Sequence, residues 1–144
     1  MSIRIFYDNT EFRLRGSRKI AGIMEKVIWK EGKISGDLLF IFTDDETLRK
    51  INIEFLNHNY LTDVITFNYS TDTLISNEIY ISIERVRENA INYNVSLRNE
   101  ILRVMFHGVL HLCGYDDKTD IEKELMRSKE DLYIKRFKEL FDEL

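Results

Sequence analysis

An α+β fold, one sheet of about four strands with about five helices and a metal site at the C-terminal end of a core helix, is what this sequence predicts. Three observations lead there. Short β-branched and aromatic runs fill the first part of the chain, at Ile3–Tyr7, Leu38–Phe42, Val64–Tyr69 and Ile79–Ser82. After Ile83 the apolar residues fall at helical spacing instead. The 144 residues with 44% hydrophobic content suit one domain over 1–144, able to bury roughly two-thirds of its unfolded surface.

Each element has its own local reason. Ile3-Arg4-Ile5-Phe6-Tyr7 alternates and reads as a strand. From Ser17 to Lys30, residues Ile20, Ile23, Met24, Val27 and Ile28 share one helical face, and Gly32 closes the helix. Leu38–Phe42 is a continuous apolar run of buried-strand length. Thr43-x-x-Glu46 reads as a capping box opening a helix through Leu48, Ile51 and Phe55. The polar Ser70-to-Asn77 stretch is the expected hairpin loop between the last two strands. Helices then run from about Ile83 to Tyr93, from the cap Ser96 to Cys113, and onward from a second box, Thr119-x-x-Glu122. Proline is absent, so glycines and capping side chains must end these helices.

Composition removes several function classes. There is no stretch of about 20 apolar residues and no charged-then-apolar leader, so neither a membrane span nor a signal peptide is expected. A single cysteine forms no internal disulfide and agrees with a reducing, cytoplasmic setting. The net charge of −4 argues against nucleic-acid binding by bulk electrostatics. Only local clusters could serve, namely Arg13, Arg15, Arg18 and Lys19, a late group of Lys129, Lys135, Arg136 and Lys138, and Arg85, Arg87, Arg98 and Arg103.

The chemistry concentrates in His107-Gly108-Val109-Leu110-His111-Leu112-Cys113-Gly114-Tyr115-Asp116-Asp117. Histidines four apart on a helix share a face one turn apart, so both imidazoles can meet one ion. Gly114 can adopt the left-handed conformation that ends a helix, turning the chain so that Asp117 approaches the same ion. A histidine pair at this spacing also occurs on ordinary packed faces. Here the flanks Val104, Met105, Phe106, Val109, Leu110 and Leu112 are apolar, and unpartnered imidazoles among them would be costly. His107, His111 and Asp117 leave a coordination position open, the catalytic pattern for one Zn²⁺ per chain, although an aspartate ligand also admits manganese or magnesium. Asp117 is preferred to Asp116 or Asp120 because only it lies six residues past His111, the offset of the third ligand in long zincin motifs. Cys113, about 200° around the helix from His111, points away. Zinc peptidases place a glutamate general base after the first histidine; here that position is Gly108, which turns the reading toward phosphodiester hydrolysis.

The same run resembles the signature of the YbeY family, single-domain metal-dependent endoribonucleases of rRNA maturation, whose pattern reads His-Gly-x-Leu-His-Leu-x-Gly-Tyr-Asp-His. Only the last position differs, Asp117 standing for histidine. Ile51-Asn52-Ile53-Glu54-Phe55 and Leu61-Thr62-Asp63-Val64-Ile65-Thr66-Phe67 resemble the family's Leu-Asn-x-x-Tyr-Arg and Pro-Thr-Asp-Val-Leu-Ser-Phe stretches. Asn77-Glu78-Ile79 falls where Gly-Asp-Ile is usual. The resemblance implies single-stranded or ribosomal RNA as substrate, the small ribosomal subunit or assembly proteins as partners, and no DNA or membrane. The family arginine after Leu-Asn-x-x-Tyr falls on Leu56. His58 is then either an exposed loop histidine or a stand-in that donates to phosphate or shuttles a proton. Asp116 or the substrate's own phosphate is the expected proton acceptor, with Asp63 and Thr66 as weaker candidates for orienting ligands or water. Two other readings stay open: a zinc peptidase or amidase, and a non-catalytic ribosome-assembly factor with a structural metal.

Overall fold

The computed structural model describes residues 3–59, 62–68 and 74–142. Its elements run β1 (Ile3–Tyr7), α1 (Ser17–Lys30), β2 (Ile34–Thr43), α2 (Asp45–Leu56), β3 (Val64–Asn68), β4 (Leu74–Ser82), α3 (Ile83–Asn92), α4 (Leu97–Leu112) and α5 (Asp120–Asp142). The sheet order is β1-β2-β4-β3. β2 runs parallel to both β1 and β4, and β3 closes one edge antiparallel to β4. This is the expected α+β composition, with α1 and α2 interleaved among the strands.

Side-chain alternation assigns the two sheet faces. Leu38, Phe40, Phe42, Ile79 and Ile81 point to one side and form the core with Ile20, Met24 and Val27 of α1 and Met105, Phe106 and Val109 of α4. On the other face Phe67 meets Phe55 of α2 and Tyr80 of β4 edge-on, with ring centroids 5.7 and 5.8 Å apart. The inward stripe of α5 includes Met126, Tyr133 and Phe137, and Phe106 packs against the last two. No helix among the described residues is long and apolar enough to cross a membrane.

Three local readings are corrected. β2 begins at Ile34 and not at Leu38, because Ile34 and Ser35 pair with Leu74 and Ile75 before a register shift between Ser35 and Leu38. β4 correspondingly begins at Leu74, so Leu74–Asn77 of the Ser70-to-Asn77 stretch is strand; residues 69–73 lie outside the described residues. The cap of α2 is Asp44, whose carboxylate accepts from the Thr47 N–H at 2.8 Å. Thr43 cannot serve, being the buried last rung of β2 opposite Ser82, and Glu46 pairs with Arg49 at 3.0 Å. The second box forms as read: Glu122 N–H donates to the Thr119 hydroxyl at 3.1 Å and Thr119 N–H to the Glu122 carboxylate at 2.9 Å.

Glu31, at the C-terminal cap of α1, ties three segments together. Its carboxylate accepts from the Tyr115 hydroxyl at 2.6 Å, from the Tyr133 hydroxyl and from the Lys129 ammonium at 3.3 Å. Burial raises its pKa, but these donors outweigh burial and the net shift is downward. Since the unfolded state then binds the proton more readily, this stabilisation is present above the ordinary glutamate range and lost as pH falls through the lowered folded value. Glu31→Gln is expected to cost about 2 kcal/mol at neutral pH. Urea titrations of both proteins should converge as the medium is acidified below pH about 4.

Candidate metal centre and groove

α4 carries both histidines because its core face and site face adjoin. Ser96 caps its start, accepting from the Asn99 N–H at 3.0 Å. At its other end Gly114 takes φ 111°, and the Tyr115 N–H donates to the Leu110 carbonyl at 3.1 Å and the Gly114 N–H to the His111 carbonyl at 3.1 Å. This pair of reversed bonds is the turn that glycine permits after a helix, and it folds Asp117 back over the last two turns.

His107 and His111 have parallel rings, 4° apart in plane, with centroids 6.4 Å apart. His107 Nε2 lies 3.3 Å from Asp117 Oδ2. Its Nδ1–H donates to Glu130 at 2.8 Å, and His111 Nδ1–H donates to the Tyr115 carbonyl at 2.9 Å. Each imidazole is thus oriented through Nδ1 and offers Nε2, the arrangement typical of a histidine that ligates a metal. Burial alone would lower the His107 pKa, but the hydrogen bond and charge of Glu130, with the charges of Asp117 and Asp63, raise it. His107, His111 and Asp117 are the residues that could hold a divalent cation, and two imidazole nitrogens with one carboxylate oxygen would be a donor set suited to zinc. Among the described residues no three such side chains yet converge on one point; His107 and Asp117 are in contact, and His111 lines the same groove.

The groove lies between α4 and the edge strand β3. The cavity of about 340 Å³ over His107, His111 and Asp117 is also lined by His58, Leu56, Asp63 and Thr66. His58 therefore comes to the site, as do Asp63 and Thr66; Tyr60 and Leu61 beside it lie outside the described residues. Asp63 is fixed by its carbonyl, which accepts the Ser82 N–H at 2.9 Å, and burial raises the pKa of its carboxyl. Asp116 is not brought to this groove. It lines a separate cavity with Glu31 and Cys113, whose thiol burial pushes up to about 12.

Sequence reasoning missed one side chain, Glu130, and the structural role of one residue it did name. Glu130 of α5, with its side chain 8% exposed, also accepts from Arg103 Nη1 at 3.0 Å, and Arg103 Nη2 donates to Asp131 at 2.6 Å. The signal was there: Met126, Glu130, Tyr133 and Phe137 share one helical stripe, so the glutamate sits where an apolar residue belongs. The second is Gly108, whose role is packing. A Cβ built there would lie 3.0 Å from Ile79 Cδ1 and 3.3 Å from Ile79 Cγ2.

Comparison with known proteins places this geometry in a family. The model for endoribonuclease YbeY matches residues 8–138. An endoribonuclease YbeY from Flavobacterium johnsoniae is 48% identical over 132 residues, covering 92% of this chain and 95% of that protein. One from Flavobacterium psychrophilum is 50% identical over 127 residues, covering 88% and 91%. The solution structure of a Thermotoga maritima protein matches with a TM-score of 0.70 at 28% identity, covering 98% of this chain and 93% of that one. The chain belongs to the YbeY endoribonuclease family.

Proposed function

We propose that this chain, acting as one domain, is a zinc-dependent endoribonuclease of the cytoplasm that hydrolyses phosphodiester bonds of single-stranded RNA during ribosomal RNA maturation. Family membership supports the hydrolysis of RNA. The observation that carries the metal reading is that both imidazoles are held through Nδ1, while His107 Nε2 faces Asp117 at 3.3 Å on a groove wall. His107, His111 and Asp117 would hold the ion. When bound, it supplies Lewis acidity toward a phosphoryl oxygen and a lowered pKa for water. Glu130 and the Tyr115 carbonyl keep the imidazoles oriented, and the walls built by Leu56, Val64 and Ile65 limit access of water. His58, on the groove rim, donates to phosphate or shuttles a proton near neutral pH. The described groove has no cation at Leu56, so a phosphate contact falls to His58.

Elemental analysis of the purified protein beside His111→Ala tests the reading. About one zinc per wild-type chain is expected and none in the variant, with cleavage of single-stranded RNA abolished by chelator and by the substitution. Metal absent from both, even after reconstitution with zinc and manganese, overturns it. A second reading, a ribosome-assembly factor with a structural metal, is favoured by one observation, the apolar Leu56 lining the groove. Robust chelator-sensitive RNA cleavage excludes it.

A further inference from the structure

Glu100 is a buried acid that none of the chemistry above uses. It lies seven residues before His107 on α4, hence on the same helix face and about 10 Å along the axis. The residue is 3% exposed, and the charges nearest its carboxylate are Arg103 and Arg127 on one side and Asp63 and Glu130 on the other. Its side chain lines a cavity, where its acceptor oxygens can meet a ligand. Burial raises its pKa, against the nearby charge of Arg103. The cavity, of about 280 Å³, shares His107, Asp117, Asp63 and Val64 with the groove, so the two adjoin. That volume is at the small end of ligand pockets, the scale of one ring system.

The lining selects the ligand. Asp63, Glu100, Asp117 and Glu130 outnumber Arg103 and Arg127, and Arg103 is engaged by Glu130 and Asp131. A phosphate is repelled from such a pocket, whereas a neutral group rich in N–H donors is not. Tyr93, 61% exposed on the cavity wall, offers a ring face of the kind on which single-stranded bases stack. An ionised carboxylate only accepts. Guanine alone presents two adjacent donors on its pairing edge, the ring N–H and the amino group; adenine and cytosine set an acceptor beside their amino group, and uracil flanks its one N–H with carbonyls. Resting on the endoribonuclease reading, we propose that this cavity is a base subsite in which Glu100 reads the pairing edge of a guanine next to the scissile phosphate.

The test uses the protein as purified with labelled single-stranded RNA hexamers differing at one position, guanosine, inosine or adenosine. Fluorescence anisotropy is read before any cut accumulates, and cleavage is followed in parallel. Inosine lacks only the amino group, so a guanosine preference of about tenfold in Kd is expected, falling to about one in Glu100→Gln. Tyr93→Ala, at an exposed position, should weaken binding of all three sequences if the ring stacks on the base. Equal wild-type affinity for guanosine and inosine overturns the subsite. So does a second bound divalent cation per chain that Glu100→Gln removes, which would make the cavity a cation site. Guanosine preference without cleavage under any metal removes the hydrolytic reading and keeps the subsite; cleavage without preference does the reverse.

Discussion

Glu130→Gln should weaken the grip on a divalent ion by about 10- to 100-fold, the usual cost of removing a partner that orients a ligating histidine. Glu130 accepts from His107 through one oxygen and from Arg103 through the other, at 2.8 and 3.0 Å. A glutamine in its place has a single acceptor oxygen, and its amide nitrogen faces a donor whichever way the group is flipped. Either the imidazole loses its anchor or the Arg103 guanidinium is left with Asp131 alone. Stability should also drop by about 2 kcal/mol, as for hydrogen bonds to charged groups. Competition with a chromophoric chelator reads the affinity, and urea titration reads the stability. An unchanged metal affinity beside a lowered stability would reduce Glu130 to a packing role. Asp131→Asn is the companion variant, since Asp131 touches Arg103 and not His107.

Gly108→Glu should leave little folded protein, although it restores the residue that a zinc peptidase places after its first histidine. Even a methyl group at 108 meets the Ile79 side chain at 3.0 and 3.3 Å, and Ile79 is fully buried on the core face of β4. Gly108→Ala is therefore expected to cost about 1–3 kcal/mol from overpacking. The longer acid adds the burial of a carboxylate without a partner, several kcal/mol more. Thermal melts of the three proteins give the order directly. A folded Gly108→Glu protein that cleaves peptides would revive the peptidase reading. The expected outcome ties the missing base to architecture: α4 approaches the sheet at this residue, and no side chain there can be aimed at the groove.

What could be read beforehand follows the range of the interactions. The His107/His111 pair, the turn at Gly114 and the return of Asp117 are encoded within eleven residues, where helix periodicity and glycine conformation decide geometry. The core face of α1, from Ile20 to Ile28, is legible for the same reason. Strand limits are not, because Ile34 and Leu74 become strand only by pairing with each other across about forty residues of chain. The misplaced cap shows a competition that local motifs cannot resolve: Thr43 fits a capping box in isolation, but the β2–β4 ladder claims it and Asp44 takes over. Asp116 adjoins Asp117 in sequence yet faces another cavity, since successive residues leaving a turn diverge. Glu100 is covered by tertiary packing that no local pattern specifies, whereas Glu130 stands within the apolar stripe of α5.

The anchoring of His107 by a helix that comes after it carries a consequence for biosynthesis. A ribosome makes the chain from its N-terminus, and structure forms in that order. The sheet, α1, α4 and the turn that carries Asp117 are made before α5, yet His107 then has no Glu130 at Nδ1. Orientation of His107 is thereby timed to the arrival of α5. Until α5 has docked, the imidazole of His107 lacks the partner that fixes its orientation.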